Sequence, residues 1–373
     1  MALMFMESWD HNVTADVLGK WTSNQITGSG GDVSGIVAAV GRRGSSGLRI
    51  KTGGSGNDYT KSYNKVLFPS HTKMVTGFAF KANTFSGYDT NGNPDSAGSL
   101  NGQGPNVFAV RNNSVTQCSL FLNSNGTISV NRQNAGSPVT LGTTAGTLIA
   151  SAFTHIEVAI TSHASAGVVI VRFDGVEVLN VTGVNTIGAG ATVGWNEIRL
   201  GHFGPSGNSF TGEWVYDDLY VCDGSGSAPW NTFLGDCRVD PTLAIAVGAS
   251  SGWTPSAGAN WQCVDDVTPN GDTDFTSALP AGLTDTFVFQ DAPVVGGTIM
   301  GIQHCLYMKK TDTGICTVAP VVRHGGADFV GSDLPPGTSY GYGLAVQSVN
   351  PGTGAAWTET GFNAAEFGYR KTS

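Results

Sequence analysis

Val168-Val-Ile-Val-Arg-Phe173, then Asp174-Gly175, then Val176-Glu-Val-Leu-Asn-Val181 is the stretch on which the fold turns. Apolar and polar residues alternate on both sides of a two-residue corner, with the period of a half-buried strand. Asp-Gly accepts the positive φ values of a type I′ turn, whose twist matches the flanking strands, so the segment predicts a hairpin. Cys118-Ser-Leu-Phe-Leu-Asn123, Asn125-Gly126 and Thr127-Ile-Ser-Val-Asn131 predict a second one. The same alternation predicts strands at 74–81, 106–110, 155–160, 196–201 and 214–222. So many strands cannot bury their apolar faces in one flat sheet, and two sheets packed face to face, a jelly-roll sandwich, are expected.

Past this region the composition shifts at Asp223-Gly-Ser-Gly-Ser-Ala-Pro229, a Gly/Ser/Pro stretch with the character of a linker. The sequence therefore predicts two domains, 1–224 and 225–373, joined around 223–230. Further strands are expected at 285–290, 298–309, 314–324, 340–349 and 362–370. Ile302, His304, Leu306 and Met308 alternate with Gln303, Cys305, Tyr307 and Lys309, which points to a second, smaller β-sandwich. No repeat relates the two halves.

Composition agrees with an all-β chain. Only 13% of residues are charged and 53 of 373 are glycine, against about 25% and about 7% in ordinary globular proteins. Many short strands joined by tight turns have this composition, whereas long amphipathic helices need sustained runs of Glu, Lys, Arg, Leu and Ala. The net charge of −9 repels phosphate backbones and anionic lipid, so neither nucleic acid nor a membrane is an expected partner. Met1-Ala-Leu-Met-Phe-Met-Glu7 lacks the basic leader and apolar length of a signal peptide. The six cysteines, at 118, 222, 237, 263, 305 and 316, are too dispersed for a metal pair; buried free thiols are expected, with Cys222/Cys237 and Cys305/Cys316 as local disulfide candidates.

His155-Ile-Glu-Val-Ala-Ile160, the Asp174-Gly175 hairpin, Asn196-Glu-Ile-Arg-Leu-Gly201 and Tyr216-Asp-Asp-Leu-Tyr-Val221 together resemble the back half of concanavalin A-like, laminin-G-like sandwiches. With Met1 to Asp10, Asn231-Thr-Phe-Leu-Gly-Asp-Cys-Arg-Val-Asp240, Trp253 to Trp261 and Val318 to Gly326, the whole chain resembles tailed-bacteriophage virion proteins in which such a domain precedes a second β domain. The resemblance implies a particle component at a collar, tail or capsid, assembled in the host cytoplasm and released by lysis. Its implied partners are other virion proteins and copies of itself. It carries no catalytic residues over to this chain.

Candidate chemistry is sparse in the sequence. Glycan hydrolases on such sandwiches place paired carboxylates at controlled separation. None of Glu7, Glu157, Glu177, Glu197, Glu213, Glu359 and Glu366 has such a partner at strand spacing. Glu213 with Asp217 and Asp218 comes nearest, but a spacing of four puts Glu213 and Asp217 ~13 Å apart. Gly248-Ala-Ser-Ser-Gly252 has the letters of a nucleophile elbow but lacks the following helix. Asp89, Asn91, Asn93 and Asp95 alternate as in the start of a calcium loop, although Leu100 stands where the closing acid belongs; Asn270 to Asp274 is a fainter version. His11, His71, His155, His163, His202, His304 and His324 show no metal spacing. The expectation is a structural virion protein, not an enzyme, with no catalytic, cofactor or metal residues. The alternatives are a carbohydrate-binding host-attachment module, with aromatics stacking on sugar, and a polysaccharide depolymerase.

Overall fold

The computed structural model describes residues 3–11, 17–27, 34–52, 60–85, 106–134, 138–203 and 212–373. The chain divides into two compact units, Met1–Val239 and Asp240–Ser373. Strands of the first are β1 (Leu3–Glu7), β2 (Ser23–Thr27), β3 (Gly35–Val37), β4 (Gly47–Thr52), β5 (Thr60–His71), β6 (Lys73–Ala82), β7 (Asn106–Asn112) and β8 (Val115–Leu122). They continue with β9 (Ile128–Arg132), β10 (Val139–Thr143), β11 (Thr154–Thr161), β12 (Gly167–Phe173), β13 (Val176–Val184), β14 (Trp195–Phe203) and β15 (Gly212–Cys222). Two antiparallel sheets result: an eight-stranded one ordered β13-β12-β11-β6-β15-β4-β3, with β1 on β15, and a seven-stranded one ordered β10-β9-β8-β7-β14-β5-β2. This is the expected jelly-roll sandwich.

Inward positions follow the period of two. Ile156, Val158, Val169 and Val171 on one sheet and Leu120, Val130, Ile198 and Leu200 on the other are buried. The Asp174-Gly175 corner has φ of +47° and +80°, both positive as a type I′ turn requires. At Asn125-Gly126 only Gly126 is left-handed, so this hairpin turns by a different geometry.

One corner of the sandwich is held by a buried ion pair. Glu7 accepts from Lys20 Nζ at 3.0 Å and from the Trp9 backbone N–H at 3.2 Å. His11 Nε2 lies 2.8 Å from Lys20 Nζ; since the ammonium only donates, the imidazole accepts there and must be neutral. Burial first, and then the Lys20 charge, pull the His11 pKa down to about 4, against the opposing pull of Glu7.

The boundary between units falls after Val239, not around 223–230. Residues 229–239, assigned by composition to the second domain, lie on the outward face of the eight-stranded sheet. Gly235 N–H donates to Glu157 at 2.8 Å, Leu234 N–H to the Tyr220 hydroxyl at 3.1 Å, and Val239 N–H to Asp218 at 2.9 Å. Phe233 lies under the Arg172 guanidinium, 4.2 Å from it, and Asp236 pairs with Arg42. Gly77 makes room for this layer, since a Cβ there would fall 2.3 Å from the Tyr220 ring. Polar anchors that are scattered through the sequence carry no local signal, so composition alone misplaced the boundary.

The second unit contains β16 (Ala244–Ser251), β17 (Thr254–Pro255), β18 (Thr276–Ser277), β19 (Thr284–Phe289), β20 (Ile302–Met308), β21 (Val318–His324), β22 (Ala327–Val330), β23 (Gly341–Gln347) and β24 (Glu366–Lys371). A five-stranded sheet runs β16-β19-β24-β21-β22, and β20 and β23 form a separate ribbon. The ribbon packs on the sheet through Ile302 and through His304 against Phe367, over a core of Val322, Trp357, Phe362 and Ala365. The strand expected at 362–370 begins at Glu366, because Glu359–Asn363 forms a helical turn capped by Thr358 Oγ1, which accepts from Gly361 N–H at 3.0 Å. Among the described residues no helix is long and apolar enough to cross a membrane.

Two outcomes follow from these contacts. Asp285 is fully buried and accepts from Gly252 N–H at 2.6 Å, Trp253 N–H at 2.9 Å and Asn260 Nδ2 at 2.6 Å. Asp285→Ala should cost on the order of 3 kcal/mol in urea unfolding, since it strands buried donors; a loss below ~1 kcal/mol would contradict this role. His11 is the pH-sensitive group of its corner: its folded pKa of about 4 lies below the ordinary 6.5, so the unfolded chain takes up the proton first and stability falls as pH drops from 6.5 through about 4. His11→Asn should flatten that fall in thermal melts recorded against pH.

Candidate functional site

On the eight-stranded sheet Asp217, Asp218 and Glu157 are engaged by the chain itself, although Glu157 Oε2 and both ring nitrogens of His155 are buried without a partner among the described residues. Asp217 accepts from the Arg42 N–H at 2.6 Å and Ser45 Oγ at 2.9 Å, closing the 41–46 turn; burial, and then the Asp218 charge, push its pKa up to about 7. Asp218 has φ +52° and sits in a bulge between Asp217 and Tyr220, which breaks the period of two and redirects its carboxylate to Arg43 and Val239. Glu213 and Asp217 lie on one strand, β15, as expected. Glu157 is fully buried beneath 229–239, taken up by Tyr220 Oη at 2.6 Å and Gly235.

The outward face of the seven-stranded sheet is polar in a more organised way. Tyr63, Phe108, Leu120, Val130 and Leu200 point inward and are buried, so the intervening residues point out. Strand register aligns Asn64 with Arg199, Arg199 with Ala109, Ala109 with Ser119, and Ser119 with Asn131. This single cross-strand row has charged and amide groups near its ends and small side chains in its middle. An adjacent row pairs Val66 with Glu197 and Glu197 with Arg111. Arg111 donates to Glu197, and Arg199 Nε donates to Ser62 Oγ at 2.8 Å. Burial, and then the neighbouring Arg111, pull the Arg199 pKa down to about 10, which leaves it cationic at neutral pH; Glu197 opposes the shift.

Most of this row is buried although it faces outward. Asn131, Ser62, Ser119, Asn64 and Glu197 are buried, while Arg111 and Arg199 keep partial exposure. Asn131 Nδ2 and Oδ1, Asn64 Oδ1 and Arg111 Nε are buried without a hydrogen-bond partner among the described residues. An unmet buried polar atom costs about 1–3 kcal/mol, and native proteins hold few of them. The other face shares the feature: Glu157 Oε2 and both ring nitrogens of His155 are also buried without a partner among the described residues.

The sequence offers only Glu197 among these residues, and only as a carboxylate without a partner at strand spacing. Polar residues on alternate strand positions are normal for any sheet, and only register shows that Asn64, Arg199 and Asn131, far apart in the chain, form one row. The residues that were singled out are placed elsewhere. Ser250 lies in β16, its N–H bound to Thr286 Oγ1, and no helix follows Gly252 directly. Asn270 Nδ2 donates to Asp274 at 2.9 Å, and Asp272 pairs with Lys309, so that loop is closed on itself. Asp89, Asn91, Asn93 and Asp95 lie outside the described residues. No cluster of His, Cys, Asp and Glu able to hold a metal occurs among the described residues, and all six cysteines are free thiols.

No known family profile matches the sequence, and no curated protein matches it. Solved structures do. An endo-β-1,4-glucuronan lyase from the fungus Trichoderma reesei is similar at 17% identity and a TM-score of 0.38, over 54% of this chain and 90% of that one. The alginate lyase Aly36B is similar at 12% identity and 0.37, over 58% and 95%. Domain 4 of AbnA, an extracellular arabinanase from Geobacillus stearothermophilus seen with arabinotriose, is similar at 15% identity and 0.34, over 59% and 92%. These likenesses concern the sandwich and not its chemistry. They nevertheless correct one expectation. Lyases occur among the similar sandwiches, so the absence of a hydrolase-type acid pair does not make this chain a non-enzyme.

The Arg111 and Glu197 pair supports the floor of the face. Arg111→Ala strands a buried carboxylate and should destabilise the first unit by about 3 kcal/mol, measured by denaturant unfolding. An unchanged midpoint would show that Glu197 is supported by other groups.

Proposed function

We propose that the outward face of the seven-stranded sheet binds a carbohydrate. The observation that carries this reading is the polar cross-strand rows of that face, in which Arg111 and Arg199 keep partial exposure above buried Asn64, Ser119 and Asn131. A guanidinium offers several fixed N–H donors, and sugar hydroxyl and ring oxygens accept from them. Ala109 and Ser119 in the middle of the row are themselves buried, so the partly exposed Arg111 and Arg199 are the groups of this face that a ligand meets. The net charge of −9 argues against nucleic acid on the same face. Resemblance of the whole chain to tailed-phage virion proteins supports a setting on a particle, where such a face would meet host-surface glycan.

The test is retention of the purified chain on immobilised polysaccharides and on a glycan array, together with assay of the same polysaccharides for shortened products. Retention by at least one of them is expected, weakened in Arg199→Met. Absence of retention across neutral and acidic glycans would end the reading. Shortened products would add cleavage to binding.

A further inference from the structure

His155 and Glu157 alternate along β11 with the inward Ile156 and Val158, so both point out from the eight-stranded sheet, and both are fully buried. Glu157 lies beneath 229–239, which it holds through Gly235 N–H. The His155 ring lies 6.3 Å from that of Tyr220, at an interplanar angle of 23°, and neither of its nitrogens has a hydrogen-bond partner among the described residues. A neutral imidazole leaves one N–H and one lone pair unmet there, whereas an imidazolium would leave two N–H groups and a charge. Burying a charge costs far more than burying a neutral polar group. We infer that residues 229–239 form an acid-released strap: His155 takes up a proton when the segment lifts, so acid frees the strap while the sandwich beneath it stays folded.

The ties of the strap to Glu157, Tyr220, Asp218, Lys73 and Arg42 all run to side chains, and the segment belongs to no strand ladder. It can therefore open as a local unit. The groups around the ring set the sign. Burial, the largest influence, pulls the His155 pKa below its ordinary 6.5; Asp236 on the strap and Glu157 on β11 pull it back, Arg42 adds to the fall, and Asp218 on β15 opposes it. Burial pushes the Cys237 thiol of the strap up to about 12, so it stays neutral, and Asp174 accepts the His155 backbone N–H at 2.8 Å. The lifted state thus binds the proton first, and docking weakens as pH falls below 6.5. Asp217 runs the other way: its carboxyl is pushed up to about 7, so acid strengthens the neighbouring 41–46 turn. Since the second unit begins at Asp240, lifting turns 229–239 from a docked strap into a free connection between the units.

Hydrogen exchange read by mass spectrometry on the whole chain, from about pH 7.5 to about pH 5, gives protection factors for the 229–239 amides beside those of β6, with the intrinsic pH dependence of exchange removed. Strap protection should fall by up to about tenfold per pH unit below 6.5, the slope of one proton, while β6 stays protected. His155→Phe keeps a ring against Tyr220 and should abolish the slope, and His11→Asn should keep it. A strap whose protection does not change with pH, protection lost from strap and β6 together, or a slope that survives in His155→Phe would overturn the inference. Should His155→Phe fail to fold, the first two of these outcomes, read on the unaltered chain, still decide it.

Discussion

The structure of the first unit depends on aromatic rings meeting between its two sheets. Phe78 of the eight-stranded sheet stacks on Phe108 of the seven-stranded one at 5.5 Å, and Phe80 and Tyr216 flank Phe78. The Tyr216 hydroxyl crosses the gap to the Val107 carbonyl at 2.7 Å, so this deep core has a polar tie as well. At the other end Trp21 joins Phe5, Trp9 and Tyr63. Rings of this size lock the strand register on both sheets, because a slip of one residue would send them outward. Register in turn decides which polar residues line up on the opposite faces.

Those faces solve different problems. On the eight-stranded sheet the chain supplies its own cover: residues 229–239 are held by Glu157, Tyr220, Asp218 and Arg42, with Glu157 Oε2 unmet among the described residues. On the seven-stranded sheet, too, the polar groups are only partly consumed. Arg111 and Glu197 satisfy each other in part, while both polar atoms of Asn131 are unmet among the described residues.

The second unit follows the same economy with less material. Asp285 organises the approach to β19 by accepting three N–H groups, and a small aromatic core around Phe367 joins the ribbon to the sheet. A serine between glycines and an Asn/Asp-rich turn, both suggestive as letters, prove to be ordinary supports: one sits in an edge strand, the other closes on Lys309 and its own neighbours.

Alternation and turn chemistry are local properties, so the hairpin at Asp174-Gly175, the all-β class and most strands of both units could be read directly from residue order. Residue order could not reveal the bulge at Asp218, the docking of 229–239 on the first unit, or the row from Asn64 to Asn131. A bulge is settled by competition between a strand and its two partners, and docking by anchors that lie on other strands. The candidate site is a product of register: its residues come from five strands, and only sheet-to-sheet packing tells the chain which five side chains stand side by side.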